Sequence, residues 1–108
     1  MSAFHADLRP GPDGSGVLAV AGDIDLATAH KLLEAATPHL TPSSEPFRLD
    51  LSEVSFLDST GIGALLEIRA AALKVEREVR IVAMAASVAR VLQLAGLEDV
   101  FHTSDNTV

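Results

Sequence analysis

Two kinds of apolar pattern alternate along this chain, and the alternation limits its fold more than any other feature. Phe47, Leu49 and Leu51 alternate with polar residues, which is typical of a strand with one buried face. Residues 59–75 instead carry apolar residues at the spacing of a helix with one apolar side. Strands that alternate with helices predict an α/β fold with a sheet that is at least partly parallel.

The same patterns predict the remaining strands. Residues 3–8 and 17–22 are predicted to pair as a hairpin, because loop-forming residues separate them, and Gly22 is predicted to end the second strand. Further strands are predicted over residues 79–84 and, briefly, around residues 100–102. The expected architecture is a mixed four- to five-stranded sheet with helices packed mainly on one face.

Three helices are predicted, each from a cap or a breaker together with a set of core-facing residues. Asp25 is the predicted N-cap of the first helix, and Pro38 either ends that helix or begins a new turn. Residues 52–57 are predicted to form a loop before the second helix, and the last helix is predicted to be capped by Ser87 and to stop at Gly96. The residues predicted to face the core from the first two helices are Leu26, Ala29, Leu33, Ala36, Ile62, Leu65, Leu66 and Leu73.

Composition and charge narrow the possible functions. The chain has 108 residues, the usual size of one domain, so we expect a single domain over residues 1–108. Four Phe and no Trp or Tyr leave few side chains for base stacking, and a net charge of −7 repels nucleic acid and anionic lipid. A protein partner with a basic docking face fits better. Because no apolar run is long enough to cross a bilayer and no leader pattern opens the chain, we expect a cytoplasmic protein.

No cofactor or metal site is expected. The chain has no Cys, and its four His, at positions 5, 30, 39 and 102, lack the spacing of metal ligands. Asp23 and Asp25 could approach a divalent ion together, but two carboxylates without further oxygen ligands make a weak site.

The segment Asp58-Ser59-Thr60-Gly61 places hydroxyl groups where a loop gives way to a helix. Free backbone N–H groups and the positive end of the helix dipole lie beside a hydroxyl in this position, so a phosphate on Ser59 is electrostatically favoured. Gly61 and Gly63 remove side-chain bulk from the start of the helix. They either let another protein approach Ser59 or let the helix pack tightly on the sheet.

Three motifs of this chain resemble those of the STAS domain family, which includes bacterial anti-sigma factor antagonists. They are an Asp-Ser-(Ser/Thr)-Gly-apolar-(Gly/Ala) segment at residues 58–63, a Gly-acidic-apolar-Asp turn at residues 22–25, and a Val-apolar-x-apolar-x-Gly-Leu helix end at residues 91–97, with Phe101 after it. The motifs occur in the family's order and cover nearly the whole chain.

The resemblance implies a STAS-like fold and a regulatory protein that is not an enzyme. In this family the unphosphorylated antagonist binds an anti-sigma factor with serine kinase activity and so frees the sigma factor for transcription. Phosphorylation, here on Ser59 with Thr60 as a second acceptor, releases the kinase, and a PP2C-type phosphatase resets the cycle. The free protein is expected to be a monomer. The partner-binding residues implied in this way are Asp23, Asp25, Asp58, Ser59, Thr60, Gly61, Ile62 and Gly63.

Other functions fit the residues less well. The segment from Asp58 to Gly61 has one residue too many for an aspartic protease signature, and Leu57 stands where a nucleophile elbow needs Gly. Leu66 occupies the position of the third Gly of a dinucleotide fingerprint. A different use of the same domain remains open, namely a non-switching scaffold or an adaptor subunit of a stress-signalling or transport complex. Partner binding that does not depend on the state of Ser59 would identify it.

Overall fold

Five strands lie side by side in the order in which they occur along the chain. The computed structural model describes residues 3–11 and 16–103. The strands are β1 (His5–Pro10), β2 (Gly16–Ile24), β3 (Phe47–Leu57), β4 (Val79–Met84) and β5 (His102–Thr103), and the helices are α1 (Ala29–Ala36), α2 (Ser59–Leu73) and α3 (Ala86–Leu94). β1 is antiparallel to β2, and all the other pairs are parallel. The predicted mixed α/β sheet is confirmed.

The helices share one face of the sheet because of how the parallel strands are connected. Each connection, β2–α1–β3, β3–α2–β4 and β4–α3–β5, moves one strand further in the same direction. Crossovers of the same right-handed sense that advance in the same direction place their helices on the same side. The core lies between this side and the helices, and in the described residues every side chain classed as buried in it is apolar.

The second and third strands are longer than predicted. Gly22 does not end β2, because it adopts a φ of +90° inside the strand, and pairing with β3 continues to Ile24. A Cβ at Gly22 would lie 2.1 Å from the carbonyl oxygen of Ala3, so only glycine fits there. Irregularities in register near Gly22 and near Ala19 keep the strands paired through residues 52–57, where a loop was wrongly predicted.

The first helix begins later than predicted. Asp25 does not cap α1, which begins at Ala29. The Asp25 carboxylate instead accepts a hydrogen bond from the N–H of Ala27 at 3.0 Å and so closes a turn that precedes the helix. Leu26 therefore lies in that turn with 79% of its surface exposed, and the core side chain expected there is wrong. Leu32 and Ala36 fill the core from α1.

Some of the predictions for the ends of the helices are confirmed and others are wrong. Pro38 lies in the first turn of a short 3-10 helix, Thr37–His39, which directly follows α1, and this is one of the two alternatives predicted. Leu73, predicted to face the core, is 53% exposed at the end of α2. Ser87 lies inside α3 and does not cap it. Gly96 ends α3 with a φ of +74°, and the N–H of Leu97 donates to the carbonyl oxygen of Leu92 at 2.9 Å, which confirms the Schellman stop.

Arg77 holds the segment between α1 and β3 in place. Its guanidinium lies 5.6 Å from the centre of the Phe47 ring. It also donates hydrogen bonds to three backbone carbonyl oxygens, those of His39, Thr41 and Glu45. This side chain therefore replaces the regular backbone pairing that the Pro- and Ser-rich segment lacks.

Candidate functional site

Asp58 caps the start of α2. Its backbone is extended, with φ −109° and ψ −170°. Its carboxylate Oδ1 accepts a hydrogen bond from the N–H of Gly61 at 3.0 Å, and its carbonyl oxygen accepts one from the N–H of Ile62 at 2.9 Å. The side chain therefore pairs one of the N–H groups that a helix leaves free at its start. An Asp directly before a predicted helix is a signal for such a cap, and our sequence reasoning missed it.

Thr60 reinforces the same carboxylate. The Thr60 Oγ1 donates a hydrogen bond to Asp58 Oδ1 at 2.5 Å. This bond, and after it the bond from the N–H of Gly61, lowers the pKa of Asp58 below its ordinary value. Asp58 is therefore a fixed negative charge at the positive end of α2.

The two neighbouring hydroxyl groups lie in different surroundings. The Ser59 side chain is exposed, and its hydroxyl makes no hydrogen bond to the described part of the chain. Thr60 is half-buried, and its hydroxyl proton is committed to Asp58. Ser59 is thus the hydroxyl that another protein can reach at this helix end.

The two glycines of the motif also lie in different surroundings. A Cβ at Gly61 would lie 2.4 Å from Leu57 Cδ1 and 2.7 Å from the carbonyl oxygen of Ile24, so Gly61 allows α2 to pack against the ends of β2 and β3. A Cβ at Gly63 would meet no atom within 4 Å. The packing interpretation therefore holds for Gly61, while Gly63 has no packing reason within the described residues.

Asp23 and Asp25 lie at the same end of the sheet as α2 begins. The residue between them, Ile24, accepts a hydrogen bond from the N–H of Asp58 at 3.3 Å through its carbonyl oxygen. Thr28 fixes the turn, because its Oγ1 donates to the carbonyl oxygen of Asp23 at 2.7 Å and accepts from the N–H of Asp25 at 2.9 Å. The structure therefore brings together the acidic turn and the Ser59 segment, which lie more than thirty residues apart in the sequence.

Two large apolar side chains lie exposed at this end and were missed by sequence reasoning. Leu26 follows the acidic turn and is 79% exposed, and Phe56 is 51% exposed. Phe56 is the register partner of Asp23 in the neighbouring strand. Ile62, by contrast, is half-buried and packs against the core, so it supports the site from the core side.

Features of other kinds of site are missing from the residues described. No group of three or more His, Cys, Asp or Glu side chains in residues 3–11 and 16–103 is arranged to hold a metal ion. Within the same ranges, no helix has the length and apolar character needed to cross a bilayer.

Comparisons with known proteins all indicate the same family. The family model described as "Mlab, STAS domain" matches residues 9–102. The anti-sigma-B factor antagonist of Staphylococcus aureus is 28% identical over 88 residues, and the match covers 82% of each chain.

Solved structures agree with this match. The crystal structure of an anti-sigma factor antagonist from Mycobacterium paratuberculosis superposes with a TM-score of 0.77 at 29% identity, covering 96% of this chain and 87% of that one. The anti-sigma factor antagonist SpoIIAA in its unphosphorylated form superposes with a TM-score of 0.70 over 96% of this chain and 90% of its own. At 18% identity the second likeness bears on the fold alone.

Proposed function

This chain belongs to the STAS domain family, and on that premise we propose that it is an anti-sigma factor antagonist. Unphosphorylated, it binds an anti-sigma factor that is also a serine kinase, and phosphorylation of Ser59 releases it. The names of its relatives in Staphylococcus aureus and Mycobacterium paratuberculosis support the antagonist function.

The observation that carries the switch is the contrast between two adjacent hydroxyl groups. Ser59 is exposed in the first turn of α2, whereas Thr60 donates its proton to Asp58. A kinase needs a hydroxyl that can enter its cleft and give up its proton during transfer. We therefore assign phosphorylation to Ser59 and a positioning role to Thr60.

The charges at the site supply a reason for release. A phosphate adds about −1.5 to −2 charges beside the carboxylate of Asp58, which already accepts the N–H of Gly61. Directly after transfer, the phosphoserine also faces the remaining phosphates of the nucleotide in the kinase cleft. Like charges at such short range cost binding energy, while the helix start tolerates the anion, so the complex dissociates and the fold survives.

The remaining parts of the proposal follow from the same cycle. Resetting it requires a phosphatase, which we propose to be of the metal-dependent PP2C type. We propose that the chain acts as a regulator and not as an enzyme, in keeping with the names of its relatives. Serine catalysis at Ser59 would need a base within hydrogen-bond reach, and the Ser59 hydroxyl has no such bond in the described residues. We further propose that it works in the cytoplasm as a single domain that is monomeric when free.

A pull-down from a lysate of the source organism tests the switch. The baits are the wild type, Ser59→Ala, Ser59→Asp and Ser87→Asp, with ADP present so that Ser59 is not phosphorylated, and mass spectrometry is the readout. Ser87 is a matched control, because it is also an exposed serine in the first turn of a helix. We expect every bait except Ser59→Asp to capture one serine kinase, and purified kinase with ATP to phosphorylate the wild type but not Ser59→Ala. Equal capture by all four baits would contradict the switch.

One alternative function has a specific observation in its favour. The matching family model is described as "Mlab, STAS domain", without mention of a sigma factor. A non-switching scaffold or an adaptor subunit of a stress-signalling or transport complex would use the same fold. Capture of the same partners by the wild type and Ser59→Asp, with no kinase among them, would favour this alternative.

A further inference from the structure

We propose that Leu26 and Phe56 are the apolar anchors of a docking surface beside Ser59, and that this surface fits a partner pocket bordered by Lys and Arg. The proposal rests on the proposed function, because the partner is the kinase that approaches Ser59. It adds residues and a partner chemistry that the Ser59 motif does not contain.

The exposure of these two side chains has no explanation within the fold. Leu26 is 79% exposed and Phe56 51% exposed, so neither contributes much to the core. Both lie where β2 and β3 end, since Phe56 pairs in register with Asp23 and Leu26 lies in the turn that the Asp25 carboxylate closes directly after β2. Large apolar side chains that are exposed close to a functional residue are typical of binding surfaces.

The backbone around Leu26 is held in one conformation. Three hydrogen bonds at or below 3.0 Å fix its turn: Thr28 Oγ1 to the Asp23 carbonyl, the Asp25 N–H to Thr28 Oγ1, and the Ala27 N–H to Asp25 Oδ1. A surface that is already ordered before binding loses less entropy when the partner docks. Leu26 is therefore presented as a fixed anchor.

The charges around the anchors define the partner. The two segments at this end of the sheet, residues 22–28 and 56–63, contain no Lys or Arg. They contain three acidic residues, Asp23, Asp25 and Asp58. An apolar pocket with a basic border complements such a surface, whereas a second copy of this chain would bring like charges together.

Gly63 marks the part of α2 that the partner covers. It lies four residues after Ser59 and therefore on the same side of the helix. A Cβ at this position would meet nothing within 4 Å, and glycine inside a helix lowers stability. A contact with the partner at this position explains why the helix carries a glycine here.

Matched substitutions test the docking surface. We would compare Leu26→Ser with Leu94→Ser, which replace leucines that are 79% and 77% exposed, and Phe56→Ser with Leu73→Ser, which replace side chains that are 51% and 53% exposed. Binding of the kinase captured by the wild type would be measured by titration calorimetry at low and at high salt, with thermal melts as a check on folding.

We expect Leu26→Ser and Phe56→Ser to weaken binding at least about tenfold and the two controls to bind within about twofold of the wild type. Wild-type binding should also weaken as salt is raised. Equal binding by all four variants would overturn the docking surface. It would also be overturned if the Leu26→Ser and Phe56→Ser baits captured every partner that the wild-type bait captures. Concentration-dependent dimers that Leu26→Ser abolishes would assign the surface to a second copy and overturn the basic partner.

The two proposals fail separately. If Ser59→Asp loses the kinase while Leu26→Ser and Phe56→Ser keep it, the switch stands and the docking surface is wrong. If Leu26→Ser and Phe56→Ser lose the partner while Ser59→Asp keeps it, the docking surface stands and the switch is wrong.

Discussion

Replacing each glycine of the motif by alanine should shift stability in opposite directions. Both changes remove the same flexibility from the unfolded chain, so their difference reports on the folded state alone. Gly63→Ala adds a methyl group that meets no atom within 4 Å, so the better helix propensity of alanine should stabilise the protein by about 0.5–1 kcal/mol. Gly61→Ala places its methyl group 2.4 Å from Leu57 Cδ1 and 2.7 Å from a backbone oxygen. The backbone oxygen cannot rotate away, so overpacking of about 1–3 kcal/mol should outweigh the propensity gain.

Urea unfolding followed by circular dichroism measures both values on the same scale. We expect the midpoint for Gly63→Ala to lie above that of the wild type and the midpoint for Gly61→Ala to lie below it, with equal slopes. The same Gly63→Ala protein should bind the kinase more weakly, because its methyl group occupies the proposed contact. A Gly63→Ala protein that is less stable than the wild type, or a Gly61→Ala protein that is equally stable, would refute the assignment of packing to one glycine and contact to the other.

Two further predictions concern the cap of α2 and the segment held by Arg77. Asp58→Asn should keep most of the cap at pH 7, because asparagine is also a good N-cap, but should lose acid sensitivity. The lowered pKa of Asp58 stabilises the folded state above the unfolded pKa of about 3.9, and this contribution disappears as pH falls through the lower folded value. The stability difference between wild type and Asp58→Asn in urea titrations should therefore shrink below about pH 4, and parallel profiles would contradict this. Arg77→Lys should cost about 1–3 kcal/mol, because a lysine cannot make three carbonyl bonds and stack on Phe47 together, and hydrogen exchange over residues 40–46 should accelerate. Unchanged exchange there would show that this contact does not hold the segment.

The order of elements could be predicted from the sequence because it depends on periodicity alone. The alternation of Phe47, Leu49 and Leu51 and the helical spacing after Ser59 gave the correct classes, and Gly96 gave the correct helix stop. Gly22 misled because a glycine inside a strand pattern can mark an irregular register as well as an end. The short-range pattern does not distinguish the two, since the outcome depends on what the neighbouring strand does.

The candidate site could be predicted in position but not in detail. The place of Ser59 at the start of a helix follows from the pattern, whereas the bond from Thr60 to Asp58 depends on side-chain rotamers. Leu26 was wrongly assigned to the core because the same spacing fits either a helix or the turn before it. Phe56 went unnoticed because nothing in the sequence indicates whether an isolated aromatic side chain is covered.

The agreement between chain order and strand order has a consequence for how the molecule forms during synthesis. No strand has to insert between two others that are already paired, because each new strand adds to the edge left by the previous one. A nascent chain can therefore complete the hairpin first and then add one helix and one strand at a time as they leave the ribosome. The Asp58 segment becomes fixed only after β3 has paired with β2, since its N–H bonds to Ile24. The Ser59 site can therefore form only once β3 and the start of α2 have left the ribosome and joined the hairpin.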